Sequence, residues 1–257
     1  MKYGICHLSI VPVRLESSDT SEMVTQLLFG DLYKVTEVRK KWVKIRMVHD
    51  DYEGWIDRKQ AFEIDKDVYQ SLKKQQPAYS SDPLQLVDFP GDNHHLFVPQ
   101  GSAFYGYSEN TFDWLGTSVA FNGQVFDQAI TKADFVDIAL SYLNAPYLWG
   151  GRTPFGIDCS GFSQIVYKMG GIKIPRDASQ QAVLGEALSF IEEAEPGDLA
   201  FFDNAEGLIT HVGILLANNY IIHASGKVRI DRLDQHGIFN NDERKHTHTL
   251  RVIKQII

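Results

Sequence analysis

Tyr147-Leu-Trp-Gly-Gly-Arg-Thr-Pro-Phe-Gly-Ile-Asp-Cys-Ser-Gly-Phe162 is the stretch from which the rest of the chain is read. It sets one cysteine, Cys159, on a glycine-flanked turn directly before a helical pattern. In that pattern Phe162, Ile165, Val166 and Met169 fall at helical spacing, and Gly170-Gly171 ends the run. A thiol in the first turn of a helix lies among unpaired backbone N–H groups at the positive end of the helix dipole, which favours the thiolate. The thiolate is the reactive form, so Cys159 is the candidate nucleophile.

A nucleophile needs a base, and the base needs an orienting partner. Two apolar, strand-like runs follow within Ile209–Gly226, joined around Asn218-Asn219; His211 opens the first and His223 closes the second. A two-residue loop at Asn218-Asn219 pairs Ile214 with His223 and turns the two imidazoles to opposite faces. A three-residue loop, Ala217–Asn219, pairs His223 with Gly213 and puts both on one face. The sequence therefore predicts an odd-length loop of three or five residues, or a bulge, with His211 as base and His223 as its orienter. A zinc site made of Cys159, His211 and His223 is the other chemistry this set offers. No second close Cys, no His-Glu-x-x-His and no Cys-x-x-Cys accompanies it, so catalysis without metal or cofactor is the expectation.

The chain has 257 residues, more than one usual domain, with 44% hydrophobic and 12% aromatic residues, an ordinary composition for a folded protein. A net charge of −8 argues against nucleic acid and anionic membrane surfaces as partners, and suits a substrate with a free amine. No run approaches the ~20 apolar residues of a membrane span. Met1–Arg14, interrupted by Pro12 and Arg14, is unlike the apolar core of a signal peptide. A disulfide between Cys6 and Cys159 would consume the nucleophile. The expectation is a cytoplasmic monomer with two unlinked thiols.

Residues 1–64 carry short strand patterns at Ile10–Arg14, Gln26–Phe29, Asp31–Arg39, Trp42–Val48 and Gly54–Ile56, the spacing of a small all-β barrel. Residues 65–82 read as a linker whose helix, Asp65–Gln76, places Val68, Leu72 and Gln75 on one side. Residues 83–128 repeat the all-β character, with strands expected at Val87, Leu96–Val98, Phe104–Tyr107 and Trp114–Val119. Residues 129–257 form the candidate catalytic domain.

These motifs carry a resemblance. Tyr147-x-Trp-Gly-Gly, Asp158-Cys-Ser-Gly-Phe162, Pro175-Arg-Asp177, Pro196-Gly-Asp-Leu-Ala-Phe-Phe202, His211-Val-Gly213 and His223-Ala-Ser225 together resemble the NlpC/P60 cysteine peptidases. Val11–Arg14, Leu27-Leu-Phe-Gly-Asp31, Trp42–Arg46 and Gly54-Trp55 resemble a bacterial SH3-like module. The implied fold is α+β: a papain-like NlpC/P60 catalytic domain preceded by two small SH3-like barrels, the second degenerate. The architecture resembles the γ-D-glutamyl-L-diamino acid endopeptidases of murein-peptide recycling. The resemblance implies Cys159, His211 and His223 as the catalytic set and a short murein peptide, L-Ala-γ-D-Glu-diamino acid, as substrate. It implies a first barrel that closes one end of the cleft, and Asp177 as partner of the substrate amine. Glu22 is the second acid expected from the barrel, ahead of Glu53, with Tyr52 as a polar neighbour. Asp158, Ser160 and Arg176 are expected at the D-Glu carboxylate, and Tyr147 and Trp149 in the substrate site, Tyr147 near the oxyanion. A wall-anchored hydrolase, a thiol amidase or acyltransferase, and a non-catalytic sensor are the alternatives.

Overall fold

Alternation of apolar and polar residues in Ile10–Arg14 and Trp42–Met47 turns every second side chain inward: Val11 and Val13 in one strand, Val43, Ile45 and Met47 in the other. The computed structural model describes residues 2–91, 94–127 and 131–256. It divides into two compact units, Met1–Ala129 and Ile130–Ile257. The boundary expected between residues 128 and 129 lies outside the described residues.

In the first unit, β1 (Lys2–Ile5), β2 (Ile10–Arg14), β3 (Met23–Leu28), β4 (Leu32–Val38), β5 (Trp42–Met47), β6 (Glu53–Asp57) and β7 (Glu63–Ile64) form an antiparallel sheet in the order β3-β2-β6-β5-β4-β1-β7. Strands β2 to β6 lie on the five expected segments. The sheet wraps a core of Val11, Val13, Leu27, Tyr33, Val43, Ile45 and Ile56, which also buries Cys6. Leu27–Asp31 is a junction. Leu27 enters this core, while Phe29 leaves it to stack on Trp114 (4.6 Å between ring centroids) beside Phe104 and Phe112. The Asp31 carboxylate accepts the Leu28 N–H at 3.0 Å, and Gly30 has φ +84°.

Helix α1 (Lys66–Lys73) ends before Gln75, and Tyr69 with Leu72 forms its buried face. The expected face of Val68, Leu72 and Gln75 is corrected, because the ring of Tyr69 packs on Tyr3 at 4.3 Å and rotates Val68 outward. Beyond it come β8 (Ala78–Ser80), β9 (Leu84–Phe89), β10 (His94–Pro99), β11 (Ala103–Phe104), β12 (Thr111–Trp114), β13 (Thr117–Ala120) and β14 (Val125–Phe126). They form three small sheets, β10-β9, β11-β8-β14 and β12-β13, around Phe104, Phe112, Phe121, Val87 and Val98. The expected strand Trp114–Val119 is a hairpin. Leu115 (φ 52°) and Gly116 (φ 92°) turn the chain, and Asp113 accepts the Gly116 N–H at 2.7 Å. The expected strand Phe104–Tyr107 keeps only Phe104, since Gly106 at φ +60° bends the chain away.

The second unit opens with α2 (Lys132–Ser141), started by a capping box between Thr131 and Asp134. After β15 (Arg152–Thr153) and β16 (Gly156–Ile157), α3 (Cys159–Met169) is buried along its whole length against α2, β19 and β20. Then follow α4 (Ala178–Gln181), β17 (Glu186–Leu188), β18 (Leu199–Asp203), β19 (Ile209–Leu216), β20 (Tyr220–Ser225), β21 (Lys227–Asp234), β22 (Gly237–Asn240) and β23 (Lys245–Gln255). The sheet order is β17-β23-β18-β19-β20-β21-β22, and β22 also pairs with β23. The long strand β23 thus joins β22 through its first half and β18 through its second, closing the sheet on itself.

The loop between β19 and β20 is the three-residue one. Asn218 (φ 59°) and Asn219 (φ 58°) take left-handed conformations, Leu216 pairs with Tyr220, and Gly213 with His223. A Cβ on Gly213 would lie 2.9 Å from that of His223, so glycine leaves the space in which the two imidazoles meet.

Gly30→Ala is expected to destabilise the first unit. Its φ suits glycine, and the added Cβ would fall 2.0 Å from the Ala103 carbonyl oxygen. The backbone strain alone costs roughly 1–3 kcal/mol. Urea unfolding should show a lower midpoint; an unchanged midpoint would contradict the junction described here.

Candidate active site

Helix α3 starts where it does because Asp158 caps it. Its Oδ1 accepts the Gly161 N–H at 2.6 Å, and its Oδ2 accepts the Gly150 N–H at 2.8 Å. The same carboxylate pairs with Arg176 Nη2 at 2.5 Å, and Arg176 Nη1 donates to Ser160 Oγ at 2.8 Å. Arg176 is 2% exposed and Asp158 4%. Asp158, Ser160 and Arg176, the three residues expected to position the D-Glu carboxylate, are thus brought together. Ser160 and Arg176 are the partners of Asp158 in a buried brace flanking Cys159. Gln181 extends that brace, donating to the carbonyls of Ser160 (3.0 Å) and Pro175 (2.8 Å) and accepting from Ser163 Oγ (2.7 Å).

Cys159 thus sits at a fixed point, its Sγ 4.0 Å from the carbonyl oxygen of Thr210, the residue before His211. Burial pushes its thiol up to about 11, the Asp158 charge adds to this, and the Val212 N–H, Arg176 and the Ser160 N–H oppose it. Enclosure therefore works against the thiolate that the helix start favours. Loss of hydration outweighs the helix dipole when the group is this enclosed. Neither cysteine is in a disulfide.

His211 and His223 meet edge to face, His211 Nε2 lying 2.9 Å from His223 Nδ1. His223 Nε2 is 3.0 Å from Asp231 Oδ2, and Arg229 grips both Asp231 oxygens at 2.6 and 2.8 Å. Burial alone would raise the Asp231 carboxyl, but the hydrogen bonds of His223 and Arg229 leave it at about 2, so it is ionised. An ionised carboxylate only accepts, and this decides both tautomers. His223 carries its proton on Nε2 and accepts at Nδ1, so His211 donates from Nε2. The free lone pair of His211 is then on Nδ1, the atom that can take a proton from a thiol. Burial drives His211 well below its usual pKa, and the charges of His223 and His248 act in the same direction.

His248 on β23 was not singled out from the sequence. Its ring stacks on His211, 4.2 Å between centroids and 28° between planes. Burial, then the charge of His223, brings it down to about 4, with Asp231 and Glu243 opposing, so it is a neutral slab at neutral pH. Asp231 was missed too, although a carboxylate two residues before Leu233, in the same inward phase, is a signal a strand reading offers. The three imidazoles each offer a ring nitrogen within 4.8 Å of the others, a grouping that does not contain Cys159. Within it, His211 Nε2 and His223 Nδ1 already serve each other.

Tyr147 is half-buried, and its hydroxyl is pushed up to about 12 by burial and then by Cys159, so it remains a donor in the thiol's neighbourhood. Trp149 is 60% exposed. Asp177, half-buried, precedes α4 without capping it. In the first unit, Glu22 is exposed just before β3, and Tyr52 packs partly into the barrel core. Glu53 pairs with Lys44 and Arg46 at 2.8 and 2.6 Å.

Residues 144–245 match the NlpC/P60 family, and residues 13–60 match the bacterial dipeptidyl-peptidase Sh3 domain. The chain is 28% identical to the gamma-D-glutamyl-L-lysine dipeptidyl-peptidase of Bacillus subtilis (strain 168), over 78% of this chain and 71% of that protein. It is 26% identical to dipeptidyl-peptidase 6 of Lysinibacillus sphaericus, over 86% of this chain and 89% of that protein. Its fold is similar to the crystal structure of an NlpC/P60 family protein from Bacillus cereus ATCC 10987. The TM-score is 0.80 at 20% identity, covering 99% of both chains.

Two outcomes are expected. Alkylation of Cys159 by iodoacetamide should accelerate with pH through the alkaline range toward about 11, because the neutral thiol dominates below it. A rate that plateaus below neutral pH would mean a preformed thiolate–imidazolium pair. Asp231→Asn should lower kcat with little change in KM, by up to the ~10⁴-fold lost when a carboxylate orienting a catalytic imidazole becomes an amide. Wild-type kcat in a folded Asp231→Asn variant would remove Asp231 from the relay.

Proposed function

We propose that the chain, whose residues 144–245 match the NlpC/P60 family and residues 13–60 a bacterial Sh3 domain, is a cysteine peptidase cutting the γ-D-glutamyl–diamino acid bond of short murein peptides with a free N-terminal L-alanine. The observation that carries this reading is the buried chain His211–His223–Asp231, with Arg229 behind it and the Thr210 carbonyl oxygen, next to His211, 4.0 Å from Cys159 Sγ. The names of the two relatives, a gamma-D-glutamyl-L-lysine dipeptidyl-peptidase and a dipeptidyl-peptidase, support the substrate class.

The mechanism follows from the tautomers. Cys159 Sγ attacks the γ-carbonyl carbon of D-Glu as its proton passes to His211 Nδ1. The new imidazolium charge is spread through His223 to the ionised Asp231, which Arg229 holds in place. Burial opposes separated charge in the resting site, so proton transfer accompanies attack rather than preceding it. The N–H groups at the start of α3 and the Tyr147 hydroxyl are the donors assigned to the oxyanion. His211 then protonates the leaving amine, and a water activated by the same Nδ1 releases the dipeptide. Asp177 is the assigned partner of the substrate amine, and Glu22 and Tyr52 are assigned to substrate selection. The proposal places the reaction in cytoplasmic recycling of wall peptides.

The test is a peptide panel read by mass spectrometry. L-Ala-γ-D-Glu-L-Lys and its meso-diaminopimelate counterpart should release L-Ala-D-Glu, whereas the N-acetylated peptides should not be cut. Cys159→Ala should abolish turnover in a folded protein. Asp177→Asn and Glu22→Gln should mainly raise KM, since amine binding is shared by ground and transition states. Efficient digestion of acylated stem peptides or whole sacculi would overturn the free-amine reading in favour of a wall hydrolase.

A further inference from the structure

Away from the thiol, β21 ends in a second cluster of ligand-type side chains. Asp234 pairs with Gly237 across the tight turn Gln235-His236, and His246 on β23 pairs with Phe239 of β22. His246 Nε2 lies 2.9 and 3.1 Å from the two Asp234 carboxylate oxygens, and His236 Nδ1 lies 3.6 Å from Oδ1. One donor atom from each of the three residues falls within 4.8 Å of the others.

A surface His–Asp ion pair accounts for His246 and Asp234, and such a pair contributes little to stability. It does not account for the third donor or for the way the set is held. The Asp234 carboxylate is aimed by the N–H groups of His236 (2.8 Å) and Gly237 (3.2 Å). The His246 ring is steadied edge-on by Phe239, 5.3 Å between centroids. His236 comes from the turn itself, and its ring lies 5.6 Å from that of His246. Two imidazole nitrogens and one carboxylate oxygen suit zinc, cobalt, nickel or copper, whereas magnesium and calcium prefer all-oxygen sets.

We propose that Asp234, His236 and His246 form a surface site for a divalent transition-metal ion of the zinc type, distinct from the candidate catalytic set. An ion there replaces the His246–Asp234 hydrogen bond with two metal bonds and takes water in the remaining tetrahedral position. It ties the β21–β22 turn to β23, the strands that carry Asp231 and His248 respectively. Because the β21–β22 turn and β23 must be folded together to supply the donors, the ion binds the folded chain and stabilises it.

The experiment titrates zinc into the full chain carrying Cys159→Ala, by calorimetry and by thermal unfolding, and repeats it with cobalt for its visible spectrum. Expected are one saturable zinc site, a Tm raised by a few degrees and tetrahedral cobalt bands without thiolate charge transfer. His236→Ala and His246→Ala, each added separately, should weaken zinc binding by at least ~10-fold and cancel the Tm rise. In the Cys159 wild-type background these two variants should leave metal-free turnover unchanged. Zinc affinity unaffected by either variant, or lost instead with His248→Ala, would overturn the proposal, as would no saturable binding below millimolar zinc. Metal-free Tm and circular dichroism of each variant separate lost ligation from lost folding.

Discussion

One buried ion pair, Asp158 with Arg176, holds the geometry around Cys159. Taking two charges out of water costs several kcal/mol per ion, and only close pairing with further hydrogen bonds offsets it. Here the same carboxylate receives N–H groups from the loop before it and from the helix after it. The helix start, the Trp149-Gly150 loop and Arg176 are therefore positioned by one group. Removing one partner of such a pair typically costs about 3–5 kcal/mol, because the other is left buried and uncompensated. The neighbours of the thiol on both sides, Asp158 and Ser160, are tied to this pair.

The site is built on opposed tendencies. The helix start and the N–H groups of Val212 and Ser160 favour a thiolate, whereas enclosure favours the neutral thiol and the neutral imidazole. At rest enclosure dominates, and the two histidines are held by a carboxylate that is itself held by an arginine. Such a relay keeps His211 in one tautomer and gives its charge, once formed, a partner one imidazole away. His248 contributes an aromatic face rather than a hydrogen bond, so it restrains the plane of His211 while staying uncharged.

Much of this was legible in the chain. The motif around Cys159, the strand patterns of the first barrel and the pairing of His223 with Gly213 all follow from local rules: helix starts, period-two alternation and loop parity. Arg176 was grouped with Asp158 and Ser160 from the motifs, but that it pairs with both in a buried brace follows only from the packing of α3. Asp231 reaches His223 from β21, where its phase with Leu233 is a local signal, whereas His248 comes from β23, whose register is set by bulges and by sheet closure, and no local pattern announces it. The run Trp114–Val119 read as one strand because its apolar residues continue through the Leu115-Gly116 turn. Tyr69, not Val68, faces inward because a ring contact from Tyr3 decides the rotation of a short helix.

Sheet closure also bears on how the second unit comes to exist during synthesis. β23 is C-terminal to every strand it joins, yet it is the piece that connects β22 to β18. While the ribosome still holds those residues, the nascent sheet has two open edges, which are templates for pairing with other chains. Docking of β23 removes both edges in one step and lays His248 against His211. The chain therefore acquires its protection against aggregation and its complete imidazole cluster at the same moment, after all the other strands have been made.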